Sequence, residues 1–347
     1  MKRLSYISKF SRPLSKEELK QIAEVSIRNN SRDNLTGVLF SFNDIFYQIL
    51  EGPEDKLQEC YLRILKDNRH TNIYNLEIEE NIKERLYPDW AMNTIILEET
   101  KDSLMIPLRN ILNSITKNFL ILNKYVIDKI INSVQIGDNP LNWKLIETEK
   151  IVMFTDIFFS STFGEILPKD DLLNLLNIYY KTVNQIIKQH NGEILKLTGD
   201  GVLAYFEISE INNSINAGIE ICKELDNIRK NSKDYLKNLY TGIGITAGKI
   251  IEGNIGSEVK YDYTVIGDPV NRASRLESIT RKLNYFLVFD EYFLKYLKND
   301  NNYKIIKLGK YKPKSKTESI YIYSIEQETT KRKISLEKIS SNIIQNI

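Results

Sequence analysis

Glu193-Ile194-Leu195-Lys196-Leu197-Thr198-Gly199-Asp200-Gly201-Val202-Leu203-Ala204-Tyr205-Phe206 is the stretch on which the reading of this chain turns. Two β-prone apolar runs flank a Thr-Gly-Asp-Gly corner, and glycine there supplies the positive φ of a tight primed turn. The pattern predicts a β-hairpin with the Asp200 carboxylate at its tip. Such a tip can present a metal ligand, and it can equally be a plain turn aspartate. The surrounding sequence has to decide between them.

The chain has 347 residues, enough for two domains that each bury a core. With 42% hydrophobic residues, 27% charged residues and a net charge of +2, it reads as a globular protein with no bias toward nucleic acid or an anionic membrane. Cys60 and Cys222 lie far apart with no metal-ligand spacing, which fits a reducing cytoplasm. The start Met1-Lys2-Arg3-Leu4-Ser5-Tyr6 enters a strand pattern at once, and no apolar run reaches the length of a membrane span. The expectation is a cytoplasmic protein with neither nucleic acid nor membrane as partner.

Leu4 to Ser8 reads as a strand. Ser15 with Glu18 makes a capping box opening a helix to about Asn30, with Leu19, Ile22, Ala23 and Ile27 on its buried face. Strands at Leu35 to Phe40 and Ile45 to Leu50, a helix near Asp55 to Leu65, and strands near Ile73 to Ile78 and Asn93 to Leu97 complete a βαββαββ order. That order predicts an α+β, ferredoxin-like sandwich with both helices on one sheet face. Tyr6, Gln48 and Asn30 stand among apolar neighbours. On spacing alone, Tyr6 and Gln48 could simply alternate outward on a half-solvated sheet. Asn30 followed by Leu35-Thr36-Gly37-Val38-Leu39, then Phe46-Tyr47-Gln48-Ile49-Leu50-Glu51-Gly52, Asp67-Asn68-Arg69-His70 and Trp90-Ala91-Met92, resembles the BLUF family of flavin-based blue-light receptors. The resemblance implies a non-covalent FAD held between the two helices. It also implies hydrogen bonding of the ring by Asn30, a photoactive pair in Tyr6 and Gln48, relay by Trp90 and Met92, and His70 either near the ring or structural.

After Leu97 a polar patch precedes a helical pattern. Leu108, Leu112, Ile115, Phe119, Leu122 and Val126 are spaced alternately by four and three, the seam of a short coiled coil, and Gly137 to Pro140 breaks it. The seam predicts a dimer, although an amphipathic stripe can also cover its own domain. Beyond it, Glu149 to Phe154 is β-prone, helices fall near Pro168 to His190 and Ile211 to Lys230, and Leu239 to Asn254 reads as two strands around Ala247-Gly248. Asp268 and Pro269 open a helix carrying Asn271 and Arg275 on one face.

Phe154-Thr155-Asp156-Ile157, Lys196 to Asp200, Gly253 to Gly256, Gly267 to Asn271 with Arg275, and Lys314-Ser315-Lys316 resemble, in order, the catalytic domain of class III nucleotidyl cyclases. That resemblance implies an α/β sandwich. Two Mg2+ (or Mn2+) ions would lie on Asp156, Asp200 and the Ile157 carbonyl, with ribose and phosphate contacts from Asn271 and Arg275. Lys314 would meet the terminal phosphates, and Lys196 and Thr264 would read the purine. Lys196 and Thr264 suit adenine, so ATP is the expected substrate. The sequence departs from the family at Ser160, where phenylalanine is usual. Residues 1–98 are thus expected to be the sensor, 99–147 a helical coiled-coil linker, 148–326 the catalytic domain and 327–347 a polar, charged tail with a weak apolar pattern at Ile334, Leu336 and Ile339, to which the sequence assigns no role. Together the resemblances imply a homodimeric, blue-light-activated adenylyl cyclase. The alternatives are a light-dependent interaction module with a degenerate cyclase domain, or a guanylyl cyclase.

Overall fold

The computed structural model describes residues 1–42, 44–96, 105–122, 125–136, 138–257, 260–297, 303–312 and 319–345. Two compact units are present, Met1–Asn142 and Trp143–Ile347.

In the first unit β1 (Lys2–Phe10), α1 (Lys16–Asp33), β2 (Thr36–Phe42), β3 (Ile45–Gly52), α2 (Glu54–Leu65), β4 (His70–Glu79) and β5 (Asn93–Ile96) follow the expected order. The sheet runs β4-β1-β3-β2-β5, antiparallel except between β2 and β5. Ser15 and Glu18 form the reciprocal capping box of α1. Alternation along β1 separates the two faces of the sheet. Leu4 and Tyr6 pack with Leu19, Ile22, Leu57, Cys60 and Tyr61, whereas Ile7 faces the other way. Ile27 is 43% exposed, contrary to expectation, because the inward positions beyond Ile22 are Ser26, Asn29 and Asn30, which line a cleft.

The reverse face is covered by α3 (Met105–Leu122) and α4 (Asp128–Gln135). Leu112, with Leu108 and Ile131, packs on Ile7, Phe42, Ile45 and Tyr74. This corrects the partner-helix seam at Leu108 and Leu112, because an apolar sheet face lies within the same unit and takes up the stripe. Ile115 and Val126 are half-buried, and Ile106 and Ile111 are exposed. The side chains of Phe119 and Leu122 and the patch Glu98 to Asp102 lie outside those described.

Glu51 is wholly buried and accepts from Arg3 Nε at 2.6 Å and from the backbone N–H groups of Leu86 and Tyr87 at 2.9 Å each. It ties the loop between β4 and β5 to the sheet. Glu51→Ala is expected to destabilise this unit by about 2–3 kcal/mol, read as a lower urea midpoint, since three donors lose one buried acceptor.

The second unit contains β6 (Ile146–Ile157), α5 (Ser160–Ile166), α6 (Lys169–Gln189), β7 (Glu193–Leu197), β8 (Gly201–Glu207), α7 (Ile211–Asn231), β9 (Thr241–Ser257), β10 (Lys260–Ile266), α8 (Asp268–Thr280), β11 (Leu287–Asp290), α9 (Glu291–Leu294), β12 (Ile305–Tyr311), β13 (Ile320–Ile325) and α10 (Leu336–Gln345). The sheet order is β12-β13-β11-β9-β6-β8-β7, with β10 paired to β9. Helices α6 and α7 bury Leu175, Tyr179, Val183, Ile215 and Ile221 against Ile151, Met153, Ala204 and Ile245. On α8, Leu276 packs with Val288, Ile320 and Ile322 in a separate cluster. One expectation changes here. Leu239 to Asn254 is not two strands: β9 is continuous, and its pairing with β6 runs unbroken from Thr241 to Glu252. The weak apolar pattern of the tail lies on the main core: Ile339 and Ile343 on α10 are buried in it, Ile334 and Leu336 pack against it, and Arg332 is buried beside them.

Candidate active site and sensor cleft

The opening hairpin is β7 and β8. Gly199 adopts the positive φ of the turn (82°), and the Thr198 N–H donates to Gly201 O at 2.9 Å. Pairing of β6 with β8 sets Asp156 opposite Gly201, so Asp200 stands beside Asp156. Glycine is required at 201, since a Cβ there would collide with Thr155 O and stand 3.1 Å from Asp156 Oδ1. The Ile157 N–H donates to Asp200 O at 3.3 Å, and Thr241 Oγ1 to Asp156 O at 2.8 Å.

Both carboxylates have side-chain donors that the sequence did not reveal. Arg281 Nη2 donates to Asp156 Oδ2 at 2.8 Å, its Nη1 donates to Glu277, and its Nη2 lies 3.5 Å from Ile157 O. Ser160 Oγ donates to Asp200 Oδ2. Burial, and then the negative charge of Asp200, push the Asp156 carboxyl up to about 6 against the pull of Arg281. Two carboxylates and a carbonyl, with the charge of Asp200 opposing ionisation of Asp156, form a hard-oxygen donor set whose repulsion a divalent cation relieves. Among the described residues no cluster of three or more His, Cys, Asp or Glu side chains offers an alternative.

Lys196 Nζ reaches Asp262 Oδ2 on β10 at 3.1 Å, and Thr264 lies two residues further along that strand, on the same side. Asn271 is exposed on α8; Arg275 is half-buried, and its Nη1 is buried without a hydrogen-bond partner. Within one chain no described hydrogen bond joins either residue to Asp156 or Asp200. Lys314 lies outside the described residues.

In the first unit Tyr6 OH donates to Gln48 Oε1, and Gln48 Nε2 donates to Met92 Sδ at 3.4 Å; all three residues are buried. Asn30 Nδ2 donates to Ala91 O at 2.8 Å. Tyr6, Gln48 and Asn30 line a cleft of about 200 Å³, together with Ile22, Asn29, Arg63 and His70 among others. Trp90 is outside it: 40% exposed, its ring stacks on Tyr87 at 5.1 Å. The Trp90 carbonyl accepts from the Gly37 N–H at 2.8 Å, and the irregular segment that follows turns Met92 inward in its place.

His70 borders the cleft, its Nδ1 2.9 Å from Ser8 Oγ and its ring 5.0 Å from that of Phe46. Burial, with Arg69 acting in the same direction and Asp67 against it, lowers its pKa to about 4. The folded chain therefore keeps His70 neutral where an unfolded chain would take up a proton. Stability is expected to fall as pH drops from about 6.5 to about 4, by up to ~3 kcal/mol, with a smaller loss in His70→Gln. Urea titrations of the flavin-free protein across that window check it.

Residues 1–93 match the BLUF family, sensors of blue-light using FAD, and residues 147–327 match the adenylate and guanylate cyclase catalytic domain family. The chain belongs to both: it is a BLUF sensor continued by a member of the adenylate and guanylate cyclase catalytic domain family. Photoactivated adenylate cyclase subunit beta of Euglena gracilis is 30% identical over 292 residues, 83% of this chain and 34% of that protein. The chain spans about a third of the length of such curated relatives. Two solved structures of a bacterial light-regulated adenylyl cyclase are 39% and 38% identical, with TM-scores of 0.90 and 0.86. They cover 99% and 100% of this chain, and 98% and 99% of their own.

Proposed function

We propose that the chain is a blue-light-activated adenylyl cyclase that converts ATP to 3′,5′-cyclic AMP and pyrophosphate at sites shared by two copies. The observation that carries this is Asp200, in the turn before β8, standing beside Asp156 on β6, in the same chain as a buried Tyr6 and Gln48 couple at an open cleft. Free, buried Cys60 and Cys222 suit a reducing cytoplasm.

FAD fits the first unit by the chemistry of the cleft, where the donors of Asn29, Asn30, Gln48 and Arg63 stand beside the apolar Ile22 and Phe46, and when bound it would supply blue-light absorption and electron acceptance. Tyr6 holds a phenolic proton against Gln48 Oε1. The Gln48 amide can present either its acceptor or its donor to one neighbour, so rotation of that side chain would turn Nε2 toward the Tyr6 oxygen and give up the bond to Met92 Sδ, which has no proton to donate to Oε1. Met92 immediately precedes β5, which pairs with β2, so the exchange is felt at the end of the sheet. Asn30, through Ala91, holds the same segment from the other side.

Mg2+ or Mn2+ fits the second unit by its donor set, and when bound it supplies positive charge at the phosphoryl oxygens. Asp156, Asp200 and the Ile157 carbonyl would together hold two such ions. In the reaction the ribose 3′ hydroxyl attacks the α-phosphorus and gives its proton to solvent as the cyclic ester closes, and the bond from the α-phosphorus to the bridging oxygen breaks to release pyrophosphate. Asn271 would orient the ribose, and Arg275, with a buried donor to spare, would stabilise charge on the α-phosphate. Lys196 and Thr264 converge on one side of β10 to read the adenine edge, with Asp262 steering the Lys196 ammonium, and Lys314 would meet the terminal phosphates.

Purified protein incubated with MgATP or MgGTP, in darkness and under blue light, tests the proposal. Cyclic AMP that rises on illumination is the expected result. Cyclic GMP as the main product would overturn the roles of Lys196 and Thr264, and no cyclic nucleotide in either state would overturn the enzyme.

A further inference from the structure

We propose that the C-terminal segment from Thr330 to Gln345 is a positioning element of the cyclase site, bracing both carboxylates through the residues that hold them. The inference rests on the reading of Asp156 and Asp200 as metal ligands given above.

The first half of the brace is Arg332, which is 9% exposed. Its backbone N–H donates to Asn284 O at 2.9 Å, its Nη2 to Leu283 O at 2.6 Å and Arg281 O at 3.4 Å, and its Nη1 to Ile334 O at 3.0 Å. Arg281 and Leu283 lie just past the end of α8, where a helix leaves carbonyls without intrahelical donors. A guanidinium there satisfies those carbonyls and opposes the negative end of the helix dipole. It thereby fixes the turn from which the Arg281 side chain reaches Asp156. Two backbone contacts hold the segment down. Thr330 O accepts from the Phe286 N–H at 2.8 Å, and Lys331 bridges to Tyr285.

The second half is α10. Ile339 and Ile343 are buried in the core that also contains Phe163 of α5, and α10 packs on α5. That helix begins at Ser160, the donor to Asp200. One segment thus supports Arg281 on one side and Ser160 on the other, and these are the side-chain donors of the two carboxylates. Burying a cation costs solvation, and here Nη1 and Nη2 are met by backbone carbonyls of the turn behind Asp156 and of Ile334 rather than by a carboxylate, while Nε is buried without a partner. A segment that only filled space would need Ile339 and Ile343 but not Arg332.

The test uses the full chain, with Mn2+ as probe and its free electron-spin-resonance signal as the readout of binding. Outer-layer partners of a metal ligand cost about 10–100-fold in affinity when removed, and Arg332 acts one residue further out, so Arg332→Gln is expected to weaken Mn2+ binding by ~3–10-fold. The metal concentration for half-maximal cyclase activity should rise by the same factor, while the light-induced flavin shift stays as in the unaltered chain. Arg332→Lys should recover part of the loss. If Arg332→Gln does not fold, Ile339→Val carries the test, with an expected weakening of about twofold. A folded Arg332→Gln, or Ile339→Val in its place, that binds Mn2+ as the unaltered chain does would overturn the brace. If Asp156→Asn also binds as tightly, the metal reading falls and the brace with it. An unchanged Asp156→Asn and a weakened Arg332→Gln cannot both hold under the proposal, and that pairing would overturn it too.

Discussion

Chains carrying Asp156→Asn and chains carrying Arg275→Ala, each reduced ~100–1,000-fold or more in cyclase activity, should recover activity when mixed. Half the dimers in an equal mixture are mixed dimers, and each assembles one intact site of two, so about a quarter of the original activity per chain is expected. The expectation follows from the geometry within one chain. Asp156 is met there by Arg281, not by Arg275. Arg275 keeps a buried Nη1 without a partner, and a buried donor of that kind calls for an acceptor from elsewhere. A substrate phosphate held by a second chain's carboxylates would supply one. Mixed dimers verified by mass spectrometry yet still inactive would overturn the shared site.

Tyr6→Phe should retain flavin and lose the light response, giving the same cyclic AMP output in light and darkness. The cleft is lined by many other residues, so binding survives removal of one hydroxyl. What disappears is the proton donated to Gln48 Oε1, leaving an acceptor unpaired in a buried site at a stability cost of ~1–3 kcal/mol. Gln48 then keeps only its bond to Met92 and has nothing to exchange. Absorption spectra before and after illumination report both halves of the prediction, flavin retention and the missing shift. A variant that photoactivates normally would refute the role of Tyr6.

The order of elements in the first unit was legible because local signals agree with one another. The capping box at Ser15 and Glu18, the alternation of strands and the spacing of Leu19 and Ile22 all point one way. The hairpin at Asp200 was legible for the same reason, since its glycines leave little choice. What stayed hidden depends on partners distant in sequence. Arg281 and Asp156 are 125 residues apart, and nothing periodic joins them. Ser160 stood out only as a departure, while its bond to Asp200 needs the folded loop. The stripe at Leu108 and Leu112 carries the same spacing whether it meets another helix or its own sheet, so spacing alone could not choose. In β9, Gly248 looked like a turn, yet the unbroken ladder to β6 carries the strand past it.

The two-sided sheet of the first unit bears on grafting. A fragment ending where the BLUF match ends, at residue 93, would omit the rest of β5 and all of α3 and α4, leaving Ile7, Phe42, Ile45 and Tyr74 bare to water. A transplant meant to bring another effector under light control should therefore carry the chain through at least residue 135. The junction then falls beyond the last helix that shields the sheet, and the transplanted piece keeps its solubility.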